Sequence, residues 1–312
     1  MNILNFPEGK RPHHGRKSVV RGLLHPMKMT LKRDACPMKI RKFIAAWSFL
    51  LFLLNTLACS IPKPPQLVSI SNPSVFRPRT PQEVNSLEQA MAAVITVCSQ
   101  ELGLPVVEPL YLQLYKDTDA YAAYASAYGR LSHQIANFSL AIAEENRIHI
   151  NLERTRGRPW GSLVRILAHE YTHSVEHSLT GSLRRGAQWI REGFAEWVAV
   201  KVLHSLGWED YAASLQRARQ ALVGEKDALP KLTDLDGPGD WVRLASQPKG
   251  STMTYRRAFV AVDRLIEKKG VRGMEQYFSS EDFQGSFGLS WSDFETELKK
   301  GLVDAKPIGR VD

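Results

Sequence analysis

The sequence predicts an α+β fold, with a small mixed-sheet lobe packed on a mainly helical lobe and a chemical site between them. Three observations predict it. Stretches with alternating apolar side chains cluster before residue 153. From residue 160 onward, apolar residues recur at helical spacing almost to the end of the chain. No internal repeat is evident, and segregated runs of strands and helices are the mark of α+β layering. A chain of 312 residues, 44% of them hydrophobic, is long enough for one large or two ordinary domains with a packed core.

Residues 1–37 are basic and lack convincing periodicity. They read as a cytoplasmic tail or as the product of a mis-assigned start, because Met38 opens a well-formed export signal. Met38-Lys39-Ile40-Arg41-Lys42 supplies a positive n-region, and Phe43 to Ala58 an apolar stretch of sixteen residues. That is short for a membrane span, which needs about twenty residues, and suits the core of a signal peptide over 38–58. Thr56-Leu57-Ala58-Cys59 resembles a bacterial lipobox, in which cleavage before the cysteine leaves a thiol for lipidation. A plain secretory cleavage after Ala58 satisfies the small-residue rule as well. The expectation is a lipoprotein of the cell envelope held through Cys59, with a soluble secreted protein as the alternative. Pro62, Pro64, Pro65, Pro73, Pro78 and Pro81 make residues 59–82 an extended tether with no regular element.

The folded domain is expected over 83–304, with a tail at 305–312. Glu83 to Leu102 reads as a helix, with Leu87, Met91, Val94 and Cys98 on one face and Gly103 and Pro105 as stops. Leu110, Leu112 and Leu114 alternate with Tyr111, Gln113 and Tyr115 as a strand, and Asp117 to Tyr128 returns to helix. Phe138 to Ala143 and Arg147 to Leu152 make a hairpin around Glu144-Glu145-Asn146. Helices follow at Trp160 to Ser178, Gln188 to Ser205, Trp208 to Leu222, Ser251 to Lys269, Val271 to Phe278 and Trp291 to Leu302. Gly224 to Gly250, with Pro230, Gly237-Pro238-Gly239 and Pro248, is expected to be an irregular loop that shapes access to a site.

Charge and cysteine usage narrow the function. Eleven of the 41 Lys and Arg lie in residues 1–58 with only Glu8 and Asp34, so residues 59–312 hold 30 basic and 30 acidic side chains. No basic excess survives there, and a nucleic-acid partner loses its electrostatic basis. Cys98 is alone in the mature domain, which excludes an intrachain disulfide framework. Its apolar setting reads as a small buried side chain.

The chemistry is carried by Ala168-His169-Glu170-Tyr171-Thr172-His173. On a helix, His169 and His173 project from one face with imidazoles able to share one metal ion. Glu170, rotated around the helix, can reach a water held there without being a ligand. A catalytic zinc takes three protein ligands and leaves a place for water, so a third ligand is required. Glu192, in Trp189-Ile190-Arg191-Glu192-Gly193-Phe194-Ala195-Glu196-Trp197, stands eighteen residues beyond His173, enough for a loop and a returning helix. Glu196 lies one turn further and faces the same side. It is either a solvated surface carboxylate or an acceptor for a ligand histidine's other ring N–H. His177 reads as a bystander.

This pair of segments, at this separation, resembles the gluzincin metallopeptidases, and especially their aminopeptidase N-type branch. The layout that takes a third histidine would need His where Leu179 stands and Gly where Glu176 stands. The resemblance implies a zincin-like fold and one Zn2+ on His169, His173 and Glu192, with Glu170 as general base and a peptide or protein substrate. Similarity to thermolysin-like enzymes implies that Glu196 supports a ligand histidine. The strand just before the zinc helix, with Ile148, His149, Ile150 and Asn151, is implied to be an edge that pairs with extended substrate. Tyr255 resembles the tyrosine these enzymes keep for the transition state, but Tyr255, Phe259, Val262 and Ile266 also make a core stripe. The chain departs from the aminopeptidase branch in one respect. No Gly-x-Met-Glu-Asn segment precedes the zinc helix, so an amino-terminal ammonium lacks its carboxylate, and endopeptidase-like cleavage is expected. Glu144, Glu145 and Glu153 are the nearest acids upstream, and Glu153 is left as the exception, able to reach the site from the end of the edge strand. The rival expectation is a non-catalytic envelope lipoprotein that uses the fold for binding.

Overall fold

The computed structural model describes residues 64–71, 74–127, 139–181, 186–225, 229–247 and 250–303. The export segment at 38–58, Cys59 and the tail at 305–312 lie outside the described residues. The fold is α+β, a helical lobe with a small four-stranded mixed sheet.

The sheet uses β1 (Gln66–Ile70), β2 (Leu110–Tyr115), β3 (Ala141–Glu144) and β4 (Arg147–Asn151), in the order β1-β2-β4-β3. β1 runs antiparallel to β2, β2 parallel to β4, and β3 antiparallel to β4. β1 corrects the expectation of an unstructured tether. The prolines flank the strand but none falls within it, so every residue from Gln66 to Ile70 keeps a donor for the ladder. Its side chains are mostly exposed and only Ile70 is buried, which is why an alternating pattern is weak there.

The alternation in β2 and β4 sets the layers. Leu110, Leu112, Leu114, Ile148 and Ile150 face the main core. Tyr115 and His149 face the other way, toward α2 (Thr118–Ala127), where Tyr115 packs edge-on to Tyr121 and Tyr124 stacks on His149. On the core side, α1 (Leu87–Gln100) carries the fully buried Met91, Val94 and Cys98 and is capped by Ser86, which accepts from the Gln89 N–H. A short turn, α3 (Leu152–Thr155), leads from the sheet to α4 (Trp160–Thr180), which ends at Gly181 in the left-handed conformation.

The helical lobe continues with α5 (Gln188–Ser205), α6 (Tyr211–Val223), α7 (Pro238–Ala245), α8 (Gly250–Ser280), α9 (Phe283–Phe287) and α10 (Trp291–Val303). α8 is two helical stretches that meet at Gly270, whose φ of 65° and ψ of −176° break the helix as the sequence suggested. Two regular elements fall in the segment expected to be irregular. A 3-10 turn at Leu232–Leu235 precedes α7, which starts on Pro238, a residue suited to a first helical turn because it has no N–H to leave unpaired. α5 is packed between α4 and α8. Gly193 permits the second contact: a Cβ there would stand 2.4 Å from the Ala258 carbonyl oxygen and 2.7 Å from Val262. No helix among the described residues is long and apolar enough to cross a membrane.

β4 is not an edge. It lies between β2 and β3, its backbone is paired on both sides, and Ile148, His149, Ile150 and Asn151 are at most 2% exposed. The hairpin partner takes that place. The Asn151 N–H donates to Leu140 O, which marks 140/151 as a hydrogen-bonded pair in the alternating antiparallel pattern. Ala141 and Ala143 therefore turn their N–H and C=O outward, away from β4.

Candidate metal centre

α4 and α5 bring the three predicted ligands together. His169 and His173 are one turn apart, and their rings stand edge to face at 5.0 Å. Glu192 comes from α5 to meet both: its Oε2 is 3.3 Å from His169 Nε2 and its Oε1 is 3.9 Å from His173 Nε2. One ligand atom from each residue lies within 4.8 Å of the others, so the three could hold a metal ion. The donor set fits a small divalent ion. Ligands about 2.0–2.1 Å from a tetrahedral ion are about 3.3 Å apart, close to the His169–Glu192 separation. His177, one turn past His173, stands outside this cluster.

Each histidine is held from behind by a carboxylate. His169 Nδ1 is 3.3 Å from Glu196 Oε1, which places Glu196 beside a ligand rather than in solvent. His173 Nδ1 is 2.9 Å from Glu176 Oε2. With Nδ1 carrying the proton given to the carboxylate, Nε2 of each ring presents a lone pair to the centre. Each carboxylate in turn meets an arginine. Arg165 Nη2 donates to Glu196 at 2.7 Å and its Nη1 to Glu209 at 3.1 Å, while Arg191 Nε donates to Glu176 at 3.2 Å. Glu176, Arg165 and Arg191 are partners of the cluster that the sequence reading missed. Glu176 left a signal: a carboxylate three residues after His173 shares its helix face.

The electrostatics follow from this packing. Burial raises the Glu192 carboxyl, but the His169 hydrogen bond and the nearby His173 outweigh it and hold the group down at about 2. Glu196 behaves alike: burial opposes its charge, and His169 and Arg165 bring it to about 2. Both side chains are thus carboxylates ready to bind or support a cation. Burial also opposes a charged His169, yet Glu192 and Glu196 raise it well above the usual histidine range.

Glu170 is rotated away from the ligands and does not belong to the cluster. Burial, above all, raises its carboxyl, and the Ala143 N–H, on the side of β3 turned away from β4, donates to it. Tyr255, from α8, reaches the same place: its ring is 6.1 Å from that of His169. Burial pushes its hydroxyl well up, and Glu192 and Glu196 add to the effect, so it stays a neutral donor. Tyr255 also packs against the core, and Trp241 of α7 meets it edge-on at 5.0 Å. The segment expected to shape access thus touches the candidate site's surroundings through Trp241. The Glu153 carboxylate is engaged elsewhere, accepting from the Thr118 N–H at 2.8 Å at the start of α2. No family model, no curated protein and no solved structure matches the chain.

Proposed function

We propose that this chain is an exported zinc metallopeptidase of the gluzincin type, held at the bacterial envelope through a lipid on Cys59 or secreted, and cutting within peptides. One observation carries the reading. His169, His173 and Glu192 converge, and Glu170, on the next face of the same helix, meets the outward backbone of an edge strand. Metal ligands, a base and a template for extended chain thereby adjoin one another.

His169 and His173, through Nε2, and Glu192 hold the ion. A bound Zn2+ supplies Lewis acidity, polarising the scissile carbonyl and acidifying water. Glu170 takes a proton from the water as its oxygen adds to the carbonyl carbon. As the carbon–nitrogen bond breaks, Glu170 passes that proton to the leaving amine. A raised carboxyl suits both halves of this exchange. Tyr255, kept protonated, donates to the oxyanion formed when water adds. Of the outward groups of β3, the Ala143 N–H donates to Glu170 and the Ala141 C=O accepts from Ser139 Oγ, so the Ala141 N–H and the Ala143 C=O are the ones that pair with the substrate backbone, the role the sequence assigned to β4. Glu144 pairs with His149 at 3.3 Å and with Tyr124, and Glu153 caps α2, so neither supplies a carboxylate for a substrate ammonium.

The test uses residues 64–312 and one peptide with a free or an acetylated amino terminus. Internal cleavage of both forms, abolished by a chelator and by Glu170→Gln, is expected. Trimming of the free form alone, one residue at a time, would reverse the endopeptidase assignment. Zinc bound without cleavage of any peptide would favour a non-catalytic binding protein.

A further inference from the structure

Gln188 opens α5 one helical turn before Glu192, so the two side chains leave the same face of the helix. Its amide nitrogen donates to Glu192 Oε1 at 2.7 Å, and its amide oxygen accepts from Arg191 Nη1 at 3.4 Å. The amide can point only this way, because an arginine only donates and a carboxylate only accepts. Arg191 Nε donates in turn to Glu176 Oε2, the same oxygen that meets His173 Nδ1. Hydrogen bonds therefore run from one ligand, Glu192, through Gln188, Arg191 and Glu176 to another, His173. His169 meets Glu192 only through the other oxygen, Oε2, and has its own support in Glu196 and Arg165.

We propose that Gln188 is a positioning residue that occupies Oε1 of Glu192 and so reserves Oε2 for the metal. The circuit through Arg191 and Glu176 joins Glu192 and His173 into one preset unit. This rests on the reading of His169, His173 and Glu192 as metal ligands. A carboxylate has two equivalent oxygens and can bind a divalent ion through one or both. A hydrogen bond at 2.7 Å to one of them removes the equivalence and the freedom of the side chain to turn. The oxygen left over is the one already 3.3 Å from His169 Nε2. Burial makes the restraint firm: Glu176 is 1% and Glu192 8% exposed. Few waters can replace a lost partner there.

The test measures zinc affinity of the full-length protein by competition with a chromophoric chelator, together with the visible spectrum of the cobalt-substituted form. Gln188→Met keeps the length of the side chain and removes the amide. It should weaken zinc by about tenfold to a hundredfold, as losses behind a ligand do. The cobalt bands should also weaken as Glu192 binds through both oxygens. Arg191→Met opens the same circuit elsewhere, so the double variant should be no worse than the weaker single one. Zinc-free Gln188→Met should melt with the zinc-free wild type, which separates lost positioning from lost folding. Unchanged affinity and cobalt spectrum in Gln188→Met would overturn the proposal, as would losses that multiply in the double variant. If Glu192→Ala loses zinc while Gln188→Met does not, this inference falls and the ligand assignment stands. A wild type that binds no zinc would end both.

Discussion

Replacing Gly193 with alanine probes how α5 and α8 assemble the site. The new Cβ would lie 2.4 Å from the Ala258 carbonyl oxygen, 2.7 Å from its carbon and 2.7 Å from Val262 Cγ2, where ordinary contact begins at 3.4 Å. Two of these atoms are backbone and cannot rotate away, so the helices must part by about 1 Å, and forced overpacking costs about 1–3 kcal/mol. Alanine is the better helix former by about 1 kcal/mol, which offsets part of that. With the strain at its upper end, the net loss is about 2 kcal/mol, or about 4–8 °C in Tm for a domain of this size. Function should suffer more. Glu192 adjoins Gly193, and Tyr255 stands one turn before Ala258 on the facing helix, so the same shift separates a ligand from the proposed oxyanion donor. A displacement of about 1 Å can cost about a hundredfold in rate. Thermal melts with and without zinc, followed by turnover of a cleaved peptide, make the assay. An alanine variant that melts at or above the wild type, with unchanged turnover, would refute the packing argument.

Four other substitutions or truncations have distinct outcomes. Glu176→Ala and Glu196→Ala should each weaken zinc by about tenfold to a hundredfold. They should differ in the zinc-free melt: Glu176→Ala strands Arg191 in a buried setting at a cost of about 3–5 kcal/mol, whereas Arg165 is partly exposed and keeps Glu209. Equal zinc-free melting temperatures would contradict the assigned burial of the two pairs. Tyr255→Phe should lower kcat by about a hundredfold with zinc content and Tm nearly unchanged, and unaltered turnover would leave Tyr255 as a core residue only. A chain starting at residue 74 loses β1 and bares the edge of β2, so it should melt lower and associate more than residues 64–312 by gel filtration. A monomer of equal stability would show that β1 adds nothing to the sheet.

The legibility of this chain depended on whether a signal was local. His169 and His173 were readable because helix geometry turns sequence spacing directly into a shared face, and Glu170 and Glu192 followed from the pattern around them, a base beside the first histidine and a third ligand on a returning helix. The same local logic placed Gln188–Ser205 and the break at Gly270. Strand pairing is not local. Arg147–Asn151 reads the same whether it has one neighbour or two, so its position inside the sheet, and the outer position of Ala141–Glu144 instead, needed the topology. β1 was hidden for another reason: a short outer strand buries one side chain, and six prolines nearby dominate its composition. Gln188, Arg191 and Arg165 are ordinary residues for a solvated helix face. Only their partners across α4 and α5 reveal what they do.

The central claim is that His169, His173 and Glu192 form a metal centre that Glu170 serves without binding the ion. Metal analysis of the purified wild type beside His169→Ala, His173→Ala, Glu192→Ala and Glu170→Gln tests it most directly. One zinc per chain is expected in the wild type and in Glu170→Gln, with most of it lost from each of the other three. Full zinc occupancy in Glu192→Ala, or a wild type that retains no metal, would contradict the account.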